Sequence, residues 1–392
     1  MDSYANLLLC SPLKVDLGHS RNSQTKNLTP VRIADMTAQI RQRLAIIGQG
    51  YVGLPLAMAA VDAGWMVLGI DSLETKVAQI NSGHSPIEDV SDFQLSAAIA
   101  KGTYSATCDF STVSEASVIA ICVPTPLDEK REPDLTFLRS AATAIAPYIS
   151  NETLVVSEST SFPGTLRGTI IPIIESLKPK ECNMVYFASA PERVNPGDLI
   201  WNQKNTPRLV GGINLESQTK ALSFYESICD AVVSVSTPEI AEAAKLLENT
   251  YRLVNIALIN EFAQLCSTTN IPVQEVINAA TTKPYGFMPF RPGVGVGGHC
   301  IPVDPIYLSW WARNQGDTAQ LVEAAAEINR NMPHYVATRA LKLVGTSKSK
   351  PRVLILGVAY KAGVADVRET PALELREHLV ASGAEVAWVD PL

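Results

Sequence analysis

The chain alternates short apolar runs with amphipathic stretches. LAIIG from Leu44, WMVLGID ending at Asp71, ASVIAICVP (116–124), TLVVSEST (153–160) and VYFASAPE (185–192) are short and bounded by turn residues, and read as buried strands. Helical segments separate them, the first over Gln49–Gly64 behind a glycine turn. Strands alternating with helices predict an α/β fold, a doubly wound parallel sheet of the Rossmann type with right-handed crossovers. At Pro238 the period changes. Ile240, Ala244, Leu247, Tyr251, Val254, Leu258, Phe262 and Leu265 recur at three- and four-residue steps, which predicts one amphipathic helix of roughly 30 residues. More helix is expected over Val273–Ala280, Pro305–Asn314 and Thr318–Val344. After a hydrophilic break, KSKP at 348–351, the runs RVLILGVAY, ALELREHLVASG and AEVAWVD read as strand, helix and strand, a second β-α-β unit. A free-standing pair of strands is marginal, so this unit is expected either to pack on the rest or to stop short of a complete fold. Residues 1–42 have no clean period and read as an extension. The expected division is 1–42, 43–236, 237–347 and 348–392.

Composition narrows the class. Of 392 residues, 46% are hydrophobic and 18% charged, an ordinary globular balance with length for two or three domains. Lys and Arg number 32 against 39 Asp and Glu, a net charge of −7, which argues against a protein that wraps nucleic acid. The cysteines at 10, 108, 122, 182, 229, 266 and 300 are odd in number and widely spaced. They read as reduced thiols of a cytoplasmic protein, with neither a disulfide framework nor a metal site. No apolar run is long enough to span a membrane, and the start MDSYANLLLC lacks a basic n-region and a long h-region.

Gly48-Gln-Gly50-Tyr51-Val52-Gly53 lies between a strand and a helix, and Asp71 ends the next strand 18 residues after Gly53. Gly48 suits a tight turn, Gly50 a close approach to a pyrophosphate, and Gly53 close helix–strand packing. The helix N-terminus offers amides to phosphate. Asp71 would accept from both ribose hydroxyls and repel a 2′-phosphate, so NAD is expected rather than NADP. The plainer alternative is a tight turn and a carboxylate that caps something.

Three further stretches carry candidate chemistry. Residues 293–304, GVGVGGHCIPVD, hold four glycines in six positions, which fits a backbone that something approaches closely. If a helix begins near Pro302–Asp304, its N-terminal amides would lower the pKa of Cys300; otherwise Cys300 is a buried structural thiol. Lys245, Asn249 and Arg252 stand at i, i+4 and i+7 on one helix face. They would hold an anion or an oxyanion, unless they are merely a solvated face. Thr125, Glu158, Thr160 and Glu192 fall at the carboxyl ends of strands, where open parallel sheets bind ligands; polar turn residues would look the same.

GQGYVGLPLA, ENTYRLVNIALINE, GVGVGGHCIPVDPIYL and ILGVAYKAGVADVRETPALEL, in that order, resemble the nucleotide-sugar 6-dehydrogenase family, which includes UDP-glucose and GDP-mannose dehydrogenases. With APERVNPGD and TTKPYGF the likeness is strongest to the branch acting on UDP-N-acetylhexosamines, UDP-N-acetylglucosamine first. It covers Leu44 to Leu392. The resemblance implies NAD-dependent oxidation of the sugar C6 alcohol to a carboxylate for polysaccharide precursors, with Cys300 as the nucleophile of a thiohemiacetal and then a thioester. It implies a lysine in Lys245 that stabilises oxyanions or exchanges a proton, Asn249 as its oxyanion partner, a carboxylate in Asp304 that positions or deprotonates water, and polar groups around the reaction in Thr160 and Glu192. Cofactor contacts would come from Gly48, Gly50, Tyr51, Val52, Gly53, Asp71, Lys76, Thr125, Glu158, Thr160 and Arg368. Substrate contacts would come from Arg193, Val194, Lys245, Asn249, Arg252, Arg291 and Lys361. The helix from Pro238 would be a dimerisation helix, and the second β-α-β unit the start of a nucleotide-binding domain whose arginine reaches a partner subunit's active site. Family members continue beyond the point matching Leu392, so a shortened third domain is expected.

Three other readings stay open. One is a UDP-glucose 6-dehydrogenase. A second is a two-electron dehydrogenase of a small β-hydroxy acid, which needs neither Cys300 nor the second β-α-β unit. The third is an inactive nucleotide-binding relic.

Overall fold

A computed structural model describes residues 42–194, 200–345, 350–364 and 366–391. The expected extension therefore lies outside the described residues except for Gln42, as does part of the KSKP break.

The first unit runs β1 (Arg43–Ile47), α1 (Gly53–Asp62), β2 (Met66–Ile70), α2 (Glu74–Asn81), α3 (Asp92–Ala100), β3 (Tyr104–Thr107), β4 (Val118–Ile121), α4 (Thr136–Ile145), β5 (Thr153–Ser157), α5 (Ile171–Leu177), β6 (Val185–Ser189), β7 (Arg208–Gly212), α6 (Leu215–Ile228) and β8 (Val232–Ser234). Its eight-stranded sheet has the order β3-β2-β1-β4-β5-β6-β7-β8. The order reverses between β1 and β4, which makes that edge the switch point where α/β sheets bind ligands. Both faces are covered. Leu44 and Ile46 of β1 enter one core cluster and Ala45 and Ile47 the other, so the strand is apolar throughout.

The sheet is not wholly parallel, which corrects the expectation. β6 and β7 are antiparallel, and β8 then runs parallel to β7. β7 thus enters the sheet from the opposite end to β6. β3, β7 and β8 were not anticipated. They are three to five residues long, and RLVGG carries two glycines that weaken a strand signal.

The helical unit contains α7 (Pro238–Thr268), α8 (Val273–Thr281), α9 (Asp304–Asn314) and α10 (Gln320–Val344). α7 and α10 pack through Leu253, Ala257, Val322 and Ala325. The face of α7 that the chain buries is not the expected stripe. Ala241, Leu246, Leu253 and Ala257 are buried, whereas Leu247 is 66% exposed, Leu258 57% and Leu265 60%, with Ile240 and Tyr251 also at the surface. Two apolar stripes share one helix, and periodicity alone does not say which meets the core.

The last unit is β9 (Arg352–Leu356), α11 (Pro371–Ala381) and β10 (Glu385–Val389), with β9 and β10 parallel. It packs on the helical unit. Ala337 of α10 joins Ile355, Leu379 and Ala384 in one cluster, supplying the apolar partner that two strands lack. Among the described residues no helix is long and apolar enough to cross a membrane.

Candidate active site

The turn between β1 and α1 has the geometry its glycines predict. Gly48 has a φ of +95°, and a Cβ there would stand 2.5 Å from the Cys122 carbonyl oxygen. A Cβ on Gly53 would stand 1.9 Å from the Gly48 carbonyl oxygen. At Gly50 nothing lies within 4 Å of a Cβ position, so the backbone is open to a ligand there. Asp71, just past β2, accepts from Gln49 N at 3.0 Å, Leu73 N at 3.1 Å and Lys76 Nζ at 2.8 Å. Val52 is the N-cap of α1. The open amides at a helix end and a strand-end carboxylate fit a dinucleotide. Thr125 is buried beyond β4 beside Tyr307, and Thr160 is half-buried beyond β5.

Glu158 does not sit at this mouth. Its carboxylate accepts from Arg208 Nη1 at 3.0 Å and from the Tyr225 hydroxyl at 2.5 Å, with no exposed side-chain surface. Arg208 also donates to the Ala190 carbonyl and to Gln203. The expected cofactor contact is thus a buried ionic knot behind the ends of β5 and β6, and Glu158 is accounted for structurally.

Cys300, Lys245, Asn249, Asp304 and Glu192 come together from three elements. Asp304 opens α9, and its amide donates to the Cys300 carbonyl at 2.8 Å. Asn249 Nδ2 of α7 donates to Asp304 Oδ2 at 2.5 Å. Lys245 is 6% exposed. Burial alone would lower its pKa, but Glu192, the Cys300 sulfur and Asp304 raise it above the ordinary lysine value, so it stays an ammonium. Burial raises Glu192, against the pull of Lys245 and Arg208. Asp304 is pushed up to about 6 by burial, opposed by Lys245 and by the Asn249 hydrogen bond.

The thiol departs from expectation. Cys300 is exposed on one side, yet its pKa rises to about 12, first through crowding by protein atoms, then through Asp304, with Glu192 adding to them. Lys245 and Arg368 pull it down by less. The helix does begin where predicted, but its first residue is itself a carboxylate, which cancels the helix-end charge.

The other expected substrate residues scatter. Arg193 donates to Glu248 of α7 from Nε at 3.1 Å and Nη2 at 2.5 Å, and to the Pro207 carbonyl from Nη1, so it pins its loop to the helix. Val194 N donates to the Glu192 carboxylate. Arg252 and Arg291 are exposed and Lys361 is half-buried. Arg252 therefore does not share the buried setting of Lys245, although the two stand on one face of α7.

The glycine-rich loop is approached closely by the last unit. A Cβ on Gly297 would meet Tyr360 Cβ at 2.7 Å and the Glu369 carbonyl oxygen at 2.8 Å, and one on Gly298 would meet the Tyr360 ring at 2.7 Å. Arg368 accepts through its carbonyl from Gly298 N at 3.1 Å, pairs with Asp366 and lies 5.6 Å over the ring of Tyr51 in the same chain. Tyr51 in turn donates to Glu88 at 3.0 Å. Tyr360 stands inside the quoted motif ILGVAYK, but what it would face was not written there.

This fold and turn define an NAD-dependent oxidoreductase. Sequence profiles of the UDP-glucose/GDP-mannose dehydrogenase family match its NAD binding domain to residues 42–229, its central domain to 239–331 and its UDP binding domain to 354–392. The chain belongs to that family. It is 37% identical over 357 residues to UDP-N-acetyl-D-mannosamine dehydrogenase of Methanococcus maripaludis, covering 89% of this chain and 80% of that one. It is 34% identical over 356 residues to UDP-N-acetyl-D-glucosamine 6-dehydrogenase of Pseudomonas aeruginosa, covering 89% and 82%. The solved UDP-D-ManNAc dehydrogenase of Pyrococcus horikoshii superposes with a TM-score of 0.81 at 34% identity, covering 89% of this chain and 84% of that one.

Proposed function

We propose that this chain oxidises the C6 alcohol of a UDP-N-acetylhexosamine to the uronic acid in two steps, with Cys300 as nucleophile. The observation that supports this is the convergence of Cys300, Lys245, Glu192 and Asp304, ionisable groups from distant segments that shift one another's proton affinity. Gly48, Gly50, Tyr51, Val52, Gly53, Asp71 and Lys76, with Thr125, Thr160 and Arg368, would hold NAD, which would supply the hydride acceptor for each oxidation.

The residues divide the remaining work. Lys245, kept as an ammonium, stabilises negative charge on the C6 oxygen. Asp304, whose carboxyl burial lifts to about 6 beside Cys300, is the base. The Cys300 sulfur adds to the C6 aldehyde while its proton passes by way of Asp304 to the C6 oxygen, giving a thiohemiacetal and leaving Asp304 ionised. Loss of the second hydride and the hydroxyl proton leaves a thioester. Water attacks the acyl carbon and gives a proton to Asp304. The C–S bond breaks, Asp304 returns that proton to the departing sulfur, the carboxylate leaves with its acid proton lost to water, and the thiol is restored. Asn249 fixes Asp304 and retains a second amide hydrogen for the oxyanion. Arg252, Arg291 and Lys361 supply cations for the diphosphate. The relatives from Methanococcus maripaludis and Pyrococcus horikoshii favour the mannosamine epimer over the glucosamine epimer that the motifs suggested. The exposed apolar stripe of α7 supports a homodimer.

NADH formation against UDP-N-acetyl-mannosamine, -glucosamine, -galactosamine and UDP-glucose tests the reading. Two NADH per sugar are expected from the best substrate, and Cys300→Ala should stop the second oxidation. One NADH per sugar with free aldehyde from the unaltered enzyme would refute it.

A further inference from the structure

Glu242 is a buried carboxylate that the chemistry above does not use. It lies one helical turn before Lys245 on α7 and is 1% exposed. Both its oxygens are taken. Oε2 accepts from Gly164 N at 2.6 Å and Oε1 from Leu166 N at 3.1 Å. Those amides belong to the turn after β5, the segment that carries Thr160, where it opens the π-helical turn Leu166–Ile170 ahead of α5. The local N-cap, Thr165, provides no side-chain cap. A carboxylate from the helical unit caps the helix instead.

The arrangement is costly. Burial drives the Glu242 pKa up to about 7, the two amides oppose it, and the charged groups that act on it are Glu239 and Arg167. Those two pair with each other at 2.8 Å, and Glu242 forms no ion pair among the described residues. An apolar side chain would fill the position more cheaply, so packing alone does not account for a carboxylate there. Its position in the helix does. Glu242, Lys245 and Asn249 follow at i, i+3 and i+7 and share one face. Glu242 fastens α7 to the β5–α5 turn, Asn249 fastens it to the start of α9 beside Cys300, and Lys245 lies between the two fastenings.

We propose that Glu242 is a positioning residue whose two-amide clamp sets the register of α7, and so of Lys245, against the cofactor unit. The proposal rests on the role given to Lys245.

A double-mutant cycle tests it, read by single-turnover NADH formation with full-length enzyme in excess over UDP-sugar. Glu242→Gln keeps the volume and loses one amide acceptor; Glu242→Asp, with a shorter reach, replaces it in the cycle if the Gln variant does not fold. Glu242→Gln should slow the first hydride transfer about tenfold or more in the unaltered background and less than about twofold in Lys245→Ala, because its effect is already spent. The KM for NAD should stay within about twofold, since the clamp lies apart from the glycine turn. Equal slowing in both backgrounds would mean a general structural role, and no slowing would mean no clamp; either overturns the proposal. If Lys245→Ala alone leaves the rate unchanged, the role of Lys245 itself fails and the proposal falls with it.

Discussion

Asn249 on α7 donates to Asp304 at the first turn of α9 over 2.5 Å, joining the helix that carries Lys245 to the loop that carries Cys300. The bond also tunes Asp304. Burial lifts this carboxyl to about 6, and Asn249 and Lys245 hold it from going higher. A base must be ionised to act, so kcat should fall about tenfold per pH unit below about 6. Asn249→Ala removes a lowering contribution and should move that limb to higher pH, which a pH–rate profile on UDP-N-acetylhexosamine would reveal. A limb that stays in place would separate Asp304 from the proton transfer.

Thiol reactivity gives a second check that needs no substrate. Asp304 raises the Cys300 pKa and Lys245 lowers it. Asp304→Asn should therefore increase the thiolate fraction at pH 8 and speed iodoacetamide alkylation about three- to tenfold, while Lys245→Met should slow it. Cys300→Ser supplies the background from the other thiols. Slower alkylation in Asp304→Asn would reverse the assigned electrostatics.

Where local spacing decides structure, the sequence was readable. Gly48, Gly53 and Asp71 are fixed by one β-α-β unit, and no distant residue is needed to place them. The face of α7 was not readable, because Leu246 and Leu247 are equally apolar and only the fold selects the first for the interior. Glu158 was recognisable as a strand-end carboxylate, but Arg208 and Tyr225, 50 and 67 residues away, decide where it points. The same holds for Cys300. The helix start that should acidify it was legible, whereas burial by segments distant in sequence, and after it Asp304 and then Glu192, more than a hundred residues upstream, reverse the sign.

Gly297 has no room for a side chain. The obstacles are Tyr360 Cβ, the Glu369 carbonyl oxygen and Pro371 Cδ, all within 2.9 Å of a Cβ, and none is the free end of a flexible chain. Gly297→Ala should cost about 1–3 kcal/mol and loosen the last unit from the Cys300 loop. Gly293→Ala, whose nearest neighbour would be 3.8 Å away, is the control. Limited proteolysis should cut the Gly297 variant faster after Val344 and leave the control unchanged. Equal resistance in both would mean that Tyr360 does not seat the loop.

Arg208 and Glu158 form the most buried ion pair among the described residues, with side-chain exposures of 2% and 0%. Arg208→Met leaves Glu158 with only the Tyr225 hydroxyl and should cost about 3–5 kcal/mol. Adding Glu158→Gln should recover part of that cost, because no bare charge then remains inside. Denaturant unfolding of the unaltered chain and the two variants measures this. A single variant as stable as the unaltered chain would show that the pair holds nothing.

The stripe of Leu247, Leu258 and Leu265 on α7 leaves apolar side chains in water along a helix of 31 residues. Scattered exposed leucines are ordinary, but a continuous row on a helix whose opposite face is already packed is the kind of surface that suits the proposed homodimer. The proposed homodimer would bury this row against its symmetry copy, each stripe meeting the other across a two-fold axis. Leu258→Glu places a charge at a position the single chain leaves 57% exposed, so the fold itself should lose no more than about 0.5 kcal/mol. A paired interface would instead have to desolvate two carboxylates close together, which opposes association strongly. Light scattering should therefore give a dimer or larger assembly for the unaltered chain and a monomer for the variant, with circular dichroism unchanged. A variant that keeps its assembly would mean that this row is not the contact.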